Sequence, residues 1–300
     1  MTTSTFKYLD TTSYDPHATA PFEKPWVKVD GPGKSIRLAD FERPVTNIRS
    51  RLDDFGTDKS GFSVFTAPAK EKEFTYDAAV RNGYYAEVEE LIRDKLPGVR
   101  KVVLFDHTIR GHDMTSPRQP VQQVHVDQTP QAAEARVYRH LPPEEVDDLL
   151  KRRYQIINVW RPIGHPASDF PLAVIDWRTT KPSDFVKIDL LYPIRHDNDD
   201  DDRGKEKLPD VESIMSTKGY EVRGETFGVA PNDDHKFYYM KDMTPDEAMF
   251  IKCFDSRSQV NGGQKGLADC TPHTAFVDPD TPRDAKGRQS IEVRCLVFYE

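Results

Sequence analysis

The feature that most constrains the fold is a regular alternation of polar and apolar side chains in two stretches of the chain. In residues 288–297, the polar positions Arg288, Ser290, Glu292 and Arg294 are followed by apolar neighbours at Ile291, Val293, Cys295 and Val297. Residues 121–127 repeat the pattern, with Gln123, His125 and Asp127 on one side and Val124 and Val126 on the other. Because side chains alternate along a strand, both stretches are predicted to be strands with one polar face. Two structures would produce this pattern. One is a barrel with a polar interior and an apolar exterior covered by helices, and the other is a pair of half-buried strands whose polar faces meet solvent.

The rest of the pattern consists of short strands with a few helices among them. A helix is predicted over residues 77–96, where Pro97-Gly98 ends it, and two short helices lie between residues 130 and 153. Further strands are predicted at 100–105, 154–161, 171–177, 184–192, 220–229, 236–240 and 250–254. Thr244-Pro245-Asp246-Glu247 has the composition of a helix start. The order predicts a mainly β fold, a double-stranded β-helix (jelly roll) barrel with a helical outer layer.

The chain is predicted to divide near residue 60. Residues 1–60 mix proline, glycine, threonine and charge, which is typical of an extended N-terminal arm with few regular elements. Residues 61–300 are then the double-stranded β-helix domain. Within it, residues 196–207 form a charged break whose acidic run 199–202 is typical of a solvated loop. The glycine-rich loop 261–266 is either a lid over substrate or a plain surface turn.

Composition and charge exclude several classes of partner. The 300 residues carry a formal charge of −8, without the clustered basic residues that nucleic-acid binding requires. No apolar run approaches the length of a membrane span, and the N-terminus lacks the apolar core of a secretory signal. Three widely spaced cysteines do not indicate a disulfide framework. We therefore expect a cytoplasmic protein that acts on a small molecule, either as a monomer or as a homodimer.

Two histidines and a carboxylate are the candidate metal ligands. His125, Asp127 and His273 match the pair of imidazoles and the acid that hold non-haem Fe(II) in oxygenases and leave positions open for other ligands. The His-x-Asp spacing alone is weak, because nine histidines and 50 acidic residues predict roughly one and a half chance matches (9 × 50/300). The strand context of His125 and the position of His273 later in the chain strengthen the prediction.

An Arg-x-Ser follows about one strand after His273 and is the candidate anchor for a cosubstrate. Arg288 would grip the far carboxylate of 2-oxoglutarate with two parallel hydrogen bonds, and Ser290 would add a third. Of the three metal positions that the protein ligands leave open, 2-oxoglutarate would fill two and dioxygen (O2) the third. Arg283 is nearer to His273, but it lies in a Pro/Asp-rich turn without a following serine. Arg294 shares the face of Arg288 and either binds substrate or, as we favour, forms a salt bridge with Glu292.

Two further positions are candidates for the wall of the cosubstrate pocket. Asn158 and Trp160 share one face of a predicted strand and would line the barrel interior, although the tryptophan is equally suited to core packing. His107 and His112 lie five residues apart and suggest a rival metal site. Neither has a carboxylate two positions later, so that site is disfavoured.

Six blocks of sequence, in order, resemble one known family. They are Val-His-Val-Asp-Gln-Thr (124–129), Ile-Asn-Val-Trp-Arg-Pro-Ile (157–163), Pro-Leu-Ala-Val-Ile-Asp (171–176), Lys-Cys-Phe-Asp-Ser (252–256), Pro-His-Thr-Ala-Phe (272–276) and Arg-Gln-Ser-Ile-Glu-Val-Arg (288–294). Together they are similar to the fungal hydroxylase/desaturase family, which groups gibberellin-desaturase-like and cephem-methoxylase-related proteins. The resemblance implies an Fe(II)/2-oxoglutarate-dependent dioxygenase that hydroxylates or desaturates a secondary metabolite.

Two other functions are compatible with the metal-ligand pattern. A jelly-roll protein could bind a small molecule without turnover, and a zinc hydrolase could use the same three ligands. The Arg-x-Ser separates these from the dioxygenase, because neither hydrolysis nor passive binding needs an anchor for a dicarboxylate.

Overall fold

Two β-sheets form the body of the protein. The computed structural model describes residues 1–29, 31–72, 74, 77–112, 118–194, 208–209 and 213–300, so the acidic run 199–202 lies outside the described residues. The strands are β1 (Thr2–Leu9), β2 (Trp26–Lys28), β3 (Leu38–Asn47), β4 (Phe62–Thr66), β5 (Val99–Gly111), β6 (His125–Val126), β7 (Tyr154–Pro162), β8 (Leu172–Ile175), β9 (Phe185–Pro193), β10 (Tyr220–Val229), β11 (Phe237–Tyr239), β12 (Glu247–Asp255), β13 (His273–Ala275) and β14 (Gln289–Tyr299).

The larger sheet has the strand order β1-β3-β11-β8-β13-β6-β10-β9-β2, and the smaller one has the order β4-β12-β7-β14-β5. Apolar side chains of both sheets meet in one core cluster, in which Ile156 and Leu296 of the smaller sheet join Val126 and Val174 of the larger. The two sheets therefore face each other, as in a jelly roll. The predicted mainly β, double-stranded β-helix class is confirmed.

Helices cover the outer face of the smaller sheet and add to the core. They are α1 (Asp77–Ala79), a π-helical segment (Val80–Tyr84), α2 (Tyr85–Lys95), α3 (Pro130–His140) and α4 (Pro143–Leu150). Val88 and Ile92 of α2 pack on Val293 and Cys295 of β14. The apolar face predicted for β14 thus lies under a helix, and the helical outer layer is confirmed on this side.

The predictions for two local segments are wrong. Residues 1–60 contain β1, β2 and β3, and β1 pairs with β3 over eight residues, so the segment is not poor in regular structure. Residues 244–247 form a turn in which the Thr244 N–H donates to the Glu247 carboxylate at 2.8 Å. The hydrogen bond of a helix start is present there, but Glu247 begins the strand β12 because the next residues are buried between neighbouring strands.

The strand predicted over residues 121–127 is also shorter than expected. Only His125 and Val126 belong to β6, and Gln123 forms an isolated bridge with Lys7. Val126 packs between the two sheets, whereas Val124 packs in a different cluster with residues of β1 and β11. The two valines therefore do not share one apolar layer.

A buried ion network ties β12 to the loop that carries Asp58. Lys252 is fully buried, and its ammonium donates to Asp255 at 2.8 Å, to Asp58 at 2.7 Å and to the Ala268 carbonyl at 3.0 Å. Arg153 also contacts Asp255, at 2.7 Å. Burial alone would raise the pKa of Asp255, but Arg153 and Lys252 hold it below its usual value.

We expect Lys252→Met to lower the free energy of unfolding by about 3 kcal/mol, the lower end of the range for a broken buried ion pair, because Arg153 still partners Asp255. Urea unfolding at pH 7 measures the effect, with the exposed Lys265→Met as the matched control. The folded-state pKa of Asp255 is depressed, so its stabilisation exists above the ordinary carboxyl pKa and disappears as the pH falls through the folded value. The difference in the free energy of unfolding between variant and wild type should therefore become smaller below about pH 4. Equal free energies of unfolding at pH 7 would contradict the stabilising role of the Lys252 ion network.

Candidate metal centre

Strand pairing between β6 and β13 brings the two candidate histidines together. His273 lies directly opposite His125 in the antiparallel register, and their ring centroids are 4.4 Å apart. Asp127 follows β6 immediately, with its Oδ1 3.5 Å from the His125 Nε2. One ligand atom from each of the three residues lies within 4.8 Å of the others, a spacing that one ion can bridge. The sequence prediction that these three residues converge agrees with this geometry.

Both imidazole rings are oriented by a backbone carbonyl two residues earlier in the chain. The His125 Nδ1 contacts the Gln123 carbonyl at 2.7 Å, and the His273 Nδ1 contacts the Thr271 carbonyl at 3.0 Å. A carbonyl only accepts hydrogen bonds, so each Nδ1 carries the proton and each Nε2 keeps a free lone pair. This is the arrangement in which an outer partner fixes the tautomer of a metal-binding histidine.

Thr271, whose carbonyl orients His273, is itself held in place by two hydrogen bonds that it donates. The Thr271 N–H donates to the Lys252 carbonyl at 2.7 Å, and the Thr271 hydroxyl donates to the Gly61 carbonyl at 2.5 Å. Gly61 has φ +93°, and a Cβ there would lie 2.3 Å from the Thr271 Oγ1. The close approach of these two segments therefore requires glycine at position 61.

The charge states of His273 and Asp127 suit a cation. Burial, and next the neighbouring His125, lower the pKa of His273 to about 4, so its ring is neutral at physiological pH. Burial would raise the pKa of Asp127, but Arg294 and the two histidines hold it well below its usual value. A neutral imidazole and an ionised carboxylate are the forms that bind metals.

The second oxygen of Asp127 is occupied by protein donors. Its Oδ2 accepts hydrogen bonds from the Asn158 amide at 2.8 Å and from the Arg294 Nε at 2.9 Å. These bonds leave Oδ1 on the side of His125. Asn158 therefore lies buried behind Asp127 and does not line the pocket, unlike the position predicted for it.

Arg294 is saturated by acidic neighbours. Besides Asp127, its guanidinium contacts Asp106 at 2.9 Å and Glu292 at 3.1 Å. The predicted salt bridge with Glu292 is confirmed, whereas the contact with Asp127 was missed. Alternation along β14 places Arg294 on the polar face but gives no indication of which acids it meets across the barrel.

A pocket of about 420 Å³, a volume that includes space open to solvent, connects the candidate ligands with other predicted site residues. Its walls include Arg288, Ser290 and Trp160 together with the three candidate ligands. A wider cavity of about 2790 Å³, which includes space open to solvent, shares His125, Asp127 and Arg110 with this pocket. Trp160 lines this pocket and also belongs to the core between the sheets.

The guanidinium of Arg288 is buried and has few polar partners among the described residues. Its Nη1 donates to the Phe170 carbonyl at 2.6 Å, its guanidinium lies 5.6 Å from the Trp160 ring centroid, and its Nε has no partner. Among the described residues, no carboxylate forms an ion pair with its guanidinium. Burial, and next the charge of Arg110, lower the pKa of Arg288 to about 9. A bound carboxylate would supply the missing counter-charge.

The rival candidates do not form a site. His107 contacts the Tyr85 hydroxyl at 2.9 Å, and His112 contacts Asp169 at 2.6 Å, so the two rings have separate partners. Within the part of the chain that the structure describes, His125, Asp127 and His273 are the residues grouped closely enough for a metal ion. Arg283 is exposed in a turn, as predicted.

Comparisons with known proteins agree with this chemistry. A family model described as an oxidoreductase/YMDC permease-like domain matches residues 7–298. The hydroxylase/desaturase efuI of Hormonema carpetanum is 32% identical over 89% of this chain and 87% of its own length. The Fe(II)/2-oxoglutarate-dependent dioxygenase nvfI of Aspergillus novofumigatus is 30% identical over 84% of this chain and 81% of its own length. A solved structure of the iron and alpha-ketoglutarate-dependent endoperoxidase NvfI aligns with a TM-score of 0.74 at 25% identity, covering 99% of this chain and 98% of that one. Among the described residues, no helix is both long and apolar enough to cross a membrane.

Proposed function

This chain belongs to the oxidoreductase family that contains the fungal hydroxylase/desaturases, and we propose that His125, Asp127 and His273 hold its catalytic Fe(II). The enzyme is an Fe(II)/2-oxoglutarate-dependent dioxygenase that hydroxylates or desaturates a small secondary metabolite. The observation that carries the ligand assignment is the convergence of two tautomer-fixed imidazoles and one ionised carboxylate within 4.8 Å.

The residues of the pocket have two roles: some would bind the metal, and others hold those ligands in place. Fe(II) held by His125, Asp127 and His273 would, with 2-oxoglutarate and O2, supply the oxidising chemistry for hydroxylation or desaturation of a substrate carbon. Asp127 offsets part of the metal charge, while Asn158 and Arg294 hold its carboxylate in place. The backbone carbonyls of Gln123 and Thr271 keep both Nε2 lone pairs available.

We propose that Arg288 and Ser290 bind the far carboxylate of 2-oxoglutarate. The unpaired buried guanidinium supports this role, because a charged group without a counter-ion is costly to bury unless a ligand compensates it. Ser290 is buried in the same pocket and offers a hydroxyl. Neither a zinc hydrolase nor a passive binding protein would need such an anchor. Trp160 bounds the pocket against the guanidinium face.

The substrate would enter through the wider cavity, which reaches His125 and Asp127 from the solvent side. All the proposed site residues fall within residues 61–300, which we propose as the oxygenase domain, with residues 1–60 as an arm that contributes strands to the larger sheet. We propose a cytoplasmic enzyme, since its three cysteines are buried and unpaired. Self-association as a homodimer is a separate proposal that light scattering of the purified protein tests.

We expect His125→Ala and His273→Ala to lose bound iron and 2-oxoglutarate turnover, because two protein ligands compete poorly with water and buffer for the ion. Asp127→Asn should lose turnover at limiting iron, since an amide offsets no charge. Iron content by a colorimetric assay and folding by circular dichroism separate loss of metal from loss of structure. The exposed His17→Ala is the matched control. A ligand variant that keeps full iron and full turnover would remove that residue from the metal centre.

We expect Arg288→Ala to weaken 2-oxoglutarate binding while iron binding persists. Losing one partner of a buried charge pair costs about 2–5 kcal/mol, which corresponds to an affinity loss of roughly 30-fold to several thousand-fold. Arg288→Lys should recover only part, because an ammonium lacks the two parallel donors.

The measurement is an anaerobic titration of 2-oxoglutarate into the Fe(II)-loaded protein, followed by its weak visible charge-transfer band. Arg283→Ala, which alters an exposed turn, should behave as wild type. A cosubstrate defect in Arg283→Ala and none in Arg288→Ala would show that the anchor is misplaced.

A further inference from the structure

The main chain of Arg288 is held by a residue outside the pocket. The Oδ2 of Asp169 accepts the Arg288 N–H at 3.0 Å and also contacts the His112 Nδ1 at 2.6 Å. A carboxylate only accepts, so His112 donates this bond from its Nδ1. The backbone N–H of His112 in turn donates to the Arg288 carbonyl at 2.8 Å. Asp169 and His112 thus hold both backbone polar groups of Arg288.

The next residue holds the other end of the same arginine. The Phe170 carbonyl accepts the Arg288 Nη1 at 2.6 Å. Phe170 has φ +41°, a left-handed conformation that a residue with a side chain rarely adopts. Its ring lies 4.3 Å from the His112 ring, which packs against it. The pair Asp169–Phe170 therefore grips Arg288 at its backbone and at its guanidinium.

We propose that Asp169 is a positioning residue for 2-oxoglutarate, which acts by fixing Arg288 through its bonds to the Arg288 N–H and to His112. The proposal rests on the proposed function of Arg288 as the anchor. Asp169 does not line the pocket, so its influence on the cosubstrate passes through the arginine. A guanidinium that is already placed loses less conformational freedom when a carboxylate binds, and a bidentate bond demands accurate placement.

The contacts of Asp169 join three segments of the chain. His112 ends the β5 region, Asp169 precedes β8, and Arg288 precedes β14. Without the carboxylate, the Arg288 N–H and the His112 Nδ1 would both lack their acceptor. Arg288 would remain in the pocket with greater freedom.

We expect Asp169→Ala to raise the dissociation constant of 2-oxoglutarate about 10-fold, the scale seen when an outer hydrogen-bond partner of a binding group is removed. Iron content should stay at the wild-type level, as should turnover at saturating 2-oxoglutarate. Asp169→Asn should recover part of the affinity, because the amide oxygen still accepts the Arg288 N–H. Calorimetric titration of 2-oxoglutarate into the full-length Mn(II)-loaded protein measures binding without turnover.

Asp184→Ala is a closely matched control. Asp184 is buried, whereas Asp169 is half-buried. As in Asp169, the Oδ2 of Asp184 accepts one backbone N–H, from Lys181 at 2.7 Å, and contacts one histidine, His235, at 2.9 Å; Asp184 also accepts from the Asn232 amide. It does not line the pocket that contains Arg288. Its loss should lower the thermal midpoint and leave the dissociation constant of 2-oxoglutarate unchanged, so a general effect of losing a buried carboxylate is separated from positioning.

A double-mutant cycle tests whether Asp169 acts through Arg288. In the Arg288→Ala background, Asp169→Ala should change the dissociation constant less than twofold, because the group it positions is gone. A full 10-fold effect in that background overturns the proposal, as does an unchanged constant in Asp169→Ala itself.

If Asp169→Ala does not fold, Asp169→Asn and His112→Ala replace it, since the His112 side chain is 43% exposed. A dissociation constant within twofold of wild type for both variants also overturns the proposal. An unchanged constant in Arg288→Ala shows instead that the anchor assignment has failed, and the role of Asp169 falls with it.

Discussion

The antiparallel pairing of His125 with His273 is the interaction on which the rest of the site depends. It joins β6, a strand of only two residues, to β13, and β10 supports β6 on its other side. The pairing alone would allow several ring orientations. The carbonyls of Gln123 and Thr271 select one of them, because each accepts the Nδ1 proton of the histidine two residues later. Two short strands can therefore each present one histidine accurately when the backbone just before each strand also fixes the tautomer of its ring.

Arg294 of β14 and Arg288, which directly precedes this strand, illustrate how environment separates a structural charge from one available to a ligand. Arg294 contacts three carboxylates, Asp106, Asp127 and Glu292, and is fully compensated by protein groups. The guanidinium of Arg288 meets a carbonyl and an aromatic face but forms no ion pair with a carboxylate in the described part of the chain. The first arginine holds the carboxylate of the candidate ligand Asp127 in place, whereas the second retains the capacity to bind an anion.

Local sequence patterns predicted the helices and strands whose surroundings in the fold match their polar and apolar faces. The alternation in residues 288–297 predicted both faces of β14, because a helix covers its apolar side and the barrel interior its polar side. The helix over residues 77–96 and the strand over 220–229 were likewise evident from periodicity. The strands within residues 1–60 were missed because β1 and β3 depend on pairing with each other and, for β3, with the distant β11. Such pairing leaves little trace in local composition.

Residue type and order are enough to propose His125, Asp127 and His273 as metal ligands and Arg288 as a carboxylate anchor, so the chemistry proposed for the pocket follows from the sequence. Which groups surround these residues became known only from the folded structure. Asn158, predicted at the pocket wall, lies behind Asp127, and Asp169 supports Arg288 from another segment of the chain. The physical reason is that hydrogen-bond partners are chosen by distance in space, and residues far apart in sequence carry no local signal of the neighbours they will meet.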